Sequence, residues 1–140
     1  MSSPQSSKTP YEIIEQQKED YLKEEVNEPS PDWPPDVQEA YIIVRNQLFD
    51  MNLDVKTVIE QCKTCSGSGT QSRFRHFVGY GIKEFIINHR LAIAKRLLHN
   101  EDLSITKIAL SIGYNTPSGF STTFKRRVGT APSTVREKTN

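Results

Sequence analysis

Residues 103–129 read L-S-I-T-K-I-A-L-S-I-G-Y-N-T-P-S-G-F-S-T-T-F-K-R-R-V-G, and they contain the clearest local signals of helix starts and stops in the chain. Ser104 is a favourable N-cap for a short helix, and Gly113 permits a sharp turn after it. Thr116 and the proline that follows it are typical of a second helix start, and Gly129 is a natural stop. The expected helices span residues 105–111 and 117–128. The stretch therefore predicts two short helices joined by a tight turn.

Residues 53–79 repeat this pattern when the chain is shifted by 50 positions without a gap. They read L-D-V-K-T-V-I-E-Q-C-K-T-C-S-G-S-G-T-Q-S-R-F-R-H-F-V-G. Six of the 27 aligned pairs are identical, and they fall on core positions, turns and helix stops. The identical pairs are Leu53/Leu103, Ser68/Ser118, Gly69/Gly119, Phe74/Phe124, Val78/Val128 and Gly79/Gly129. Each copy has the layout of a helix-turn-helix motif.

Helical patterns fill most of the chain after residue 35. Asp36 and Glu39 resemble a capping box that opens a helix to about Phe49. The next helices are expected over residues 55–63, capped by Asp54, about 70–78, and 82–99. Because no strand pattern competes, we expect an all-α fold. It has two helix-turn-helix subdomains joined by a long linker helix, with about seven helices in total.

The N-terminal part differs in composition from the rest. Residues 1–35 carry three lysines and eight acidic residues, whereas residues 36–140 carry 15 basic and nine acidic residues. Four of the eight prolines lie in residues 28–35, and residues 11–26 predict a marginal helix or disorder. We expect an acidic, Pro-rich arm (1–35), a tandem helix-turn-helix domain (36–136) and a tail (137–140). Within the domain lie a first motif (54–79), a linker helix (82–99) and a second motif (104–129).

The second helix of each motif has a polar face. Phe120 and Phe124 are four residues apart and point inward, so the opposite face is outward. That face carries Ser118, Thr122, Lys125 and Arg126, and the repeat places Ser68, Ser72, Arg75 and His76 outward in the first motif. Small hydroxyl side chains can approach base edges, and cations suit phosphates. An ordinary solvated basic face is the alternative, but the duplicated motif favours DNA.

The segment from about Val37 to Arg136 resembles the DNA-binding domain of the AraC/XylS family of bacterial transcription regulators. The residues that carry the resemblance are Arg90-Leu91, Ala94, Leu97-Leu98, I-T-K-I-A-L-S-I-G-Y from Ile105 to Tyr114, Ser118, Phe120, Phe124-Lys125-Arg126-Arg127, Gly129, Pro132 and Arg136. The resemblance implies two recognition helices in adjacent major-groove segments of double-stranded DNA. It also implies regulation of transcription, usually activation through contact with RNA polymerase.

The resemblance also implies positions for the DNA contacts. They fall on Ser68, Gln71, Ser72 and Arg75 in the first motif, and on Pro117, Ser118, Gly119, Thr122, Lys125 and Arg126 in the second. This chain departs from the family where arginine is common, at Ser72 and Thr122. In the first motif, Lys63 replaces the turn glycine and residues 66–69 read S-G-S-G, which weakens a helix start. We therefore expect a looser first motif.

Other classes of function find little support in the sequence. The chain has no run of 18 apolar residues and no secretory signal, so we expect a cytoplasmic protein. Cys62 and Cys65 form a single C-x-x-C, which we interpret as reduced thiols, and we expect no metal. No catalytic constellation, cofactor motif or small-molecule ligand domain is evident. We expect either a stand-alone regulator controlled by its abundance or one that depends on a partner. The alternatives are a protein-interaction module that has lost DNA binding and a non-specific chromosome-associated protein.

Overall fold

The computed structural model describes residues 8–139. Within that range the chain forms eight helices and no strand, which confirms the all-α prediction. They are α1 (Pro10–Glu25), α2 (Pro35–Asn46), α3 (Val55–Gln61), α4 (Gly67–Val78), α5 (Ile82–Leu98), α6 (Ile105–Ser111), α7 (Pro117–Val128) and α8 (Pro132–Thr139). The helix that the sequence analysis did not predict is α8, which includes most of the expected tail.

The internal repeat is a repeat of structure. Both ends of α6 lie 50 residues after those of α3, and both ends of α7 lie 50 residues after those of α4. The starts of α5 and α8, at Ile82 and Pro132, have the same offset. Helix α5 packs against α4, which precedes it in the chain, and against α6 and α8, which follow it. It therefore links a first unit (residues 54–79) to a second unit (residues 104–129).

Side-chain caps explain where the helices of the units begin and end. Asp54 accepts a hydrogen bond from the backbone N–H of Thr57 at 2.8 Å, and Ser104 does the same for Lys107 at 3.0 Å. Each satisfies a donor that has no partner inside the helix. Gly79 and Gly129 end α4 and α7 in the left-handed conformation that glycine adopts without steric cost. These local signals were read correctly from the sequence.

The expected capping box at the start of α2 is wrong. Pro34 is the N-cap of α2, and α2 ends at Asn46, three residues before the expected Phe49. The buried carboxylate of Asp36 instead accepts a hydrogen bond from the hydroxyl of Thr70 at 2.8 Å. Glu39 accepts hydrogen bonds from backbone N–H groups in the turn between α3 and α4. Both carboxylates therefore join α2 to the first unit.

The N-terminal segment contains a 16-residue helix, α1, that packs on α5. Its buried side chains are Ile14 and Tyr21. The hydroxyl of Tyr21 lies 2.6 Å from Nδ1 of His89, and Arg96 forms ion pairs with Glu24 and Glu25 at 2.7 and 3.1 Å. The sequence left helix and disorder open because α1 has few apolar residues. Contacts with the linker helix stabilise it, as is usual for helices of marginal propensity.

Candidate DNA interface

Helix α7 has a fully buried face and an exposed face, as the spacing of its phenylalanines predicts. Phe120 and Phe124 are both 0% exposed. Ser118, Gly119, Thr122, Lys125 and Arg126 are exposed, and Pro117 is half-buried. Lys125 and Arg126 form no ion pair within residues 8–139. This face therefore offers hydroxyl groups beside two free positive charges.

Helix α4 offers a similar but weaker face. Ser68, Ser72 and Arg75 are exposed, and Gln71 is half-buried. Arg73 is not available in the same way, because its guanidinium forms an ion pair with Asp36 at 2.7 Å. The helix begins at Gly67, three residues earlier than expected, and Ser66 gives it no side-chain cap.

A cation that the sequence analysis missed lies beside this face. Lys83 lines a groove of about 230 Å³ together with Gln71 and Arg75. It belongs to the first turn of α5, and its side chain is exposed. No local pattern connects a lysine at the start of one helix to the outward face of the helix before it. The structure thus brings three polar side chains from two helices to one groove.

The turn of the second unit depends on Gly113. Its φ is +110°, and a β-carbon there would lie 2.5 Å from Cζ of Arg90. Arg90 is 7% exposed and donates to the backbone oxygens of Leu48, Asp50 and Gly113 at 2.9, 2.6 and 3.3 Å. The absent side chain of Gly113 therefore leaves room for a buried guanidinium that holds the turn.

The turn of the first unit is held by different groups. Glu39 accepts from the backbone N–H groups of Lys63 and Thr64 at 2.9 and 3.0 Å and from the Thr64 hydroxyl at 2.6 Å. These hydrogen bonds, led by that of the hydroxyl, lower the pKa of Glu39. Cys62 and Cys65 form a disulfide, so the expectation of reduced thiols is wrong in this structure. Cys62 is buried, as its alignment with a core isoleucine predicts.

One ion pair connects α7 to the linker helix. The guanidinium of Arg127 donates to both carboxylate oxygens of Glu84 at 2.7 and 2.8 Å. These hydrogen bonds lower the pKa of Glu84 and raise that of Arg127. Planar, two-pronged pairing fixes orientation as well as distance. Arg127 therefore has an intramolecular ion-pair partner, unlike Lys125 and Arg126.

Across residues 8–139, no helix has the length and apolar character needed to cross a bilayer. The same part of the chain contains no group of three or more His, Cys, Asp or Glu side chains that could hold a metal ion.

The sequence is similar to known regulators. A family model described as a helix-turn-helix domain matches residues 64–138. The Msm operon regulatory protein of Streptococcus mutans is 37% identical over 65 residues, which is 46% of this chain and 23% of that protein. The arabinose operon regulatory protein of Escherichia coli is 29% identical over 100 residues, 71% of this chain and 34% of that protein. The chain spans 20% to 55% of the length of the curated relatives it matches.

Solved structures share the arrangement of helices. The C-terminal domain of AraT, a response regulator from Geobacillus stearothermophilus, superposes with a TM-score of 0.69 at 25% identity, over 76% of this chain and 88% of that one. The DNA-binding domain of AdpA, solved in complex with a target DNA, gives a TM-score of 0.65 at 25% identity, over 75% and 93%. These two proteins are described as a response regulator and a global transcriptional factor, respectively. The chain therefore belongs to the AraC/XylS family of DNA-binding transcription regulators.

Proposed function

We propose that the chain binds double-stranded DNA sequence-specifically, with α4 and α7 as recognition helices in adjacent major-groove segments. The observation that carries this proposal is the 50-residue offset between the two units, each with an exposed polar face on its second helix. Helix α5 has 17 residues. It is about 25 Å long at roughly 1.5 Å per residue, a length suited to holding two helices near one DNA turn of about 34 Å.

Helix α7 is the main reader in this proposal. Ser118 and Thr122 approach base edges, because their short hydroxyl side chains let the helix lie deep in the groove. Lys125 and Arg126 bind phosphates, since neither charge is neutralised by a carboxylate within residues 8–139. Pro117 and Gly119, in the first turn, approach the backbone of the DNA.

Helix α4 contributes fewer contacts. We assign Ser68, Gln71 and Ser72 to base edges and Arg75 to phosphate. We add Lys83 to the phosphate contacts because it shares a groove with Gln71 and Arg75. The first unit lacks the turn glycine of the second, and α4 has no side-chain cap at its start, so we expect its specificity to be the lower of the two.

The domain that we propose for DNA binding is larger than residues 36–136. Helix α1 packs on α5, and α8 runs to Thr139 and packs on α5 and α7. Residues 9–139, which include the N-cap Thr9 of α1, are therefore the unit to express and test. Bound to its site, this unit regulates transcription by contacting RNA polymerase. Family membership supports this last step, which in vitro transcription from a bound promoter tests.

The proposal is tested by fluorescence anisotropy with duplexes selected from a random pool and with scrambled duplexes across a salt series. We expect the selected duplexes to bind about 10³-fold more tightly than scrambled ones. Arg126→Ala weakens binding to all duplexes and lowers the salt slope by about one. Thr122→Ala changes the preferred sequence instead. Lys95→Ala, which removes the same charge from an exposed position on α5, is the control for Arg126→Ala.

A protein-interaction module that has lost DNA binding is the second candidate. It is favoured by Ser72 and Thr122, which replace common arginines, and by the ion pair that engages Arg73. Failure to bind any duplex at low salt supports this candidate and contradicts the first. Equal affinity for all duplexes with a steep salt slope indicates a non-specific DNA-binding protein.

A further inference from the structure

The two units close their turns in different ways. In the second unit, Gly113 adopts a positive φ and packs on Arg90. The positions 50 residues earlier hold Lys63 and Ala40, so the first unit has neither the glycine nor the arginine. Its turn contains the four-residue ring closed by the Cys62–Cys65 disulfide. The disulfide therefore occupies the place where the second unit has its glycine–arginine contact.

Two hydrogen bonds hold the residue before α4, because the backbone N–H of Ser66 donates to the Thr70 hydroxyl at 2.8 Å and the Ser66 hydroxyl accepts from Arg73 at 3.3 Å. Ser66, its N-cap, makes no side-chain cap, and Gly67 has a φ of +20° with nothing near its Cα that a side chain would touch. Cys65 directly precedes this start, and its Sγ lies 3.6 Å from the backbone oxygen of Asp36. The disulfide ties this residue to the end of α3. The ring therefore restrains the residue that leads into the first turn of α4, which carries Ser68, in addition to the hydrogen bonds of Ser66.

We propose that Cys62 and Cys65 form a reversible thiol–disulfide site that controls the DNA binding of the first unit. With the disulfide formed, α4 begins at Gly67 and presents Ser68 and Gln71. With both thiols free, the first turn of α4 loses order and the first unit contributes less to binding. This inference rests on the proposed function, because it assigns a signal to one of the two recognition helices.

The exchange partner is a low-molecular-weight or protein dithiol. Its thiolate attacks Sγ of Cys65, the more accessible sulfur, and Cys62 leaves as a thiolate that takes up a proton. The second thiol of the partner then attacks the mixed disulfide and releases Cys65. Two electrons and two protons pass to the protein, and the partner becomes a disulfide. The reverse reaction restores the ring.

The effect on the protein is local. A ring of four residues removes little conformational freedom from the unfolded chain, so the disulfide adds little to global stability. The hydrogen bonds that Glu39 accepts from this turn do not involve sulfur, so they stay in place after reduction. We therefore expect reduction to change DNA affinity without unfolding the protein.

The test compares oxidised and dithiothreitol-reduced protein, with the redox state verified by alkylation and mass spectrometry. Binding is measured on a duplex selected by the oxidised protein and on the same duplex with the segment under α4 scrambled. Reduction should weaken binding to the intact duplex about fivefold and leave binding to the scrambled one unchanged. Cys65→Ser, which keeps the buried Cys62, should bind the duplexes with the affinity of the reduced protein. Its affinity should not change when dithiothreitol is added.

Equal affinity of oxidised and reduced protein for the intact duplex overturns the proposal, as does a Cys65→Ser variant that still responds to dithiothreitol. Hydrogen exchange provides a readout that needs no DNA. The amides of residues 66–70 should exchange faster after reduction, and those of residues 116–120 should not change. If the oxidised protein selects no sequence, the proposed function fails on its own. The hydrogen-exchange rates then test the proposed redox site alone, and unchanged rates overturn that proposal.

Discussion

The guanidinium of Arg90 lies against Gly113, where a β-carbon would come within 2.5 Å of its Cζ. The same guanidinium donates to the backbone oxygens of Leu48 and Asp50, which follow α2. One buried side chain on the linker helix therefore holds the turn of the second unit and the chain that leads into the first. This contact therefore links the two units through the linker helix.

Gly113→Ala should lower the free energy of unfolding by about 3 kcal/mol or more, because it combines a strained backbone with displacement of a packed side chain. Gly79→Ala is the matched control. Its φ of +109° is nearly the same, but nothing lies within 4 Å of the added carbon. It should cost only about 1 kcal/mol. Urea denaturation measures both, and equal losses would show that the Arg90 contact contributes nothing.

Glu84→Gln tests whether the ion pair with Arg127 positions α7. Removal of a negative charge should strengthen binding to a polyanion. We expect the opposite on a two-segment duplex, a weakening of about threefold, because the pair that orients α7 is lost. Glu60→Gln, the same change on the exposed face of α3, is the control. Tighter binding by Glu84→Gln than by wild type contradicts a positioning role.

Asp36→Asn should destabilise the first unit in a pH-dependent way. Burial raises the pKa of Asp36, but hydrogen bonds from Arg73 and Thr70 outweigh it, so its net pKa lies below the ordinary value. The stabilisation is complete above the unfolded-state pKa of about 3.9 and is lost as pH falls through the lower folded value. We expect a loss of about 2 kcal/mol at pH 7.

The difference between Asp36→Asn and wild type should shrink as pH falls from about 4 through the lower pKa of the folded state, because the wild-type carboxylate is protonated over that range. Asp32→Asn, at an exposed position nearby, should match wild type at every pH. A constant difference between Asp36→Asn and wild type from pH 7 to pH 3 would rule out the ionised carboxylate as the cause. Denaturation curves at several pH values provide the measurement.

Ile14→Ala tests whether α1 is part of the folded domain. Ile14 is 1% exposed, so its truncation should cost about 3 kcal/mol in a single cooperative transition. Tyr11→Ala is the control on the same helix, because Tyr11 is 70% exposed. If the N-terminal segment were a disordered arm, the two variants would unfold alike.

Sequence reasoning succeeded where the signal is local. Asp54, Ser104 and Thr116 cap helices within three residues of themselves, and Gly79 and Gly129 stop them. It failed where a side chain acts at a distance. Asp36 and Glu39 have capping-box spacing, yet apart from the backbone N–H of Val37 their partners lie 24 to 37 residues further along the chain.

The candidate site follows the same division. The outward faces of α4 and α7 could be predicted because helical periodicity separates them from the buried Phe74, Phe120 and Phe124. Lys83 and the Arg127–Glu84 pair could not, since each depends on how α5 packs beside another helix. The sequence also could not predict that α1 is an ordered helix, because tertiary contacts with His89 and Arg96 stabilise it.

In the proposed complex, two recognition helices read adjacent major-groove segments. Guanine N7 methylation protection on a selected duplex reports this arrangement, because N7 lies in the major groove. We expect two protected clusters on one face of the duplex, with centres about 10 base pairs apart. Thr122→Ala should alter only the cluster under α7. A single protected cluster, or protection spread evenly along the duplex, contradicts the claim.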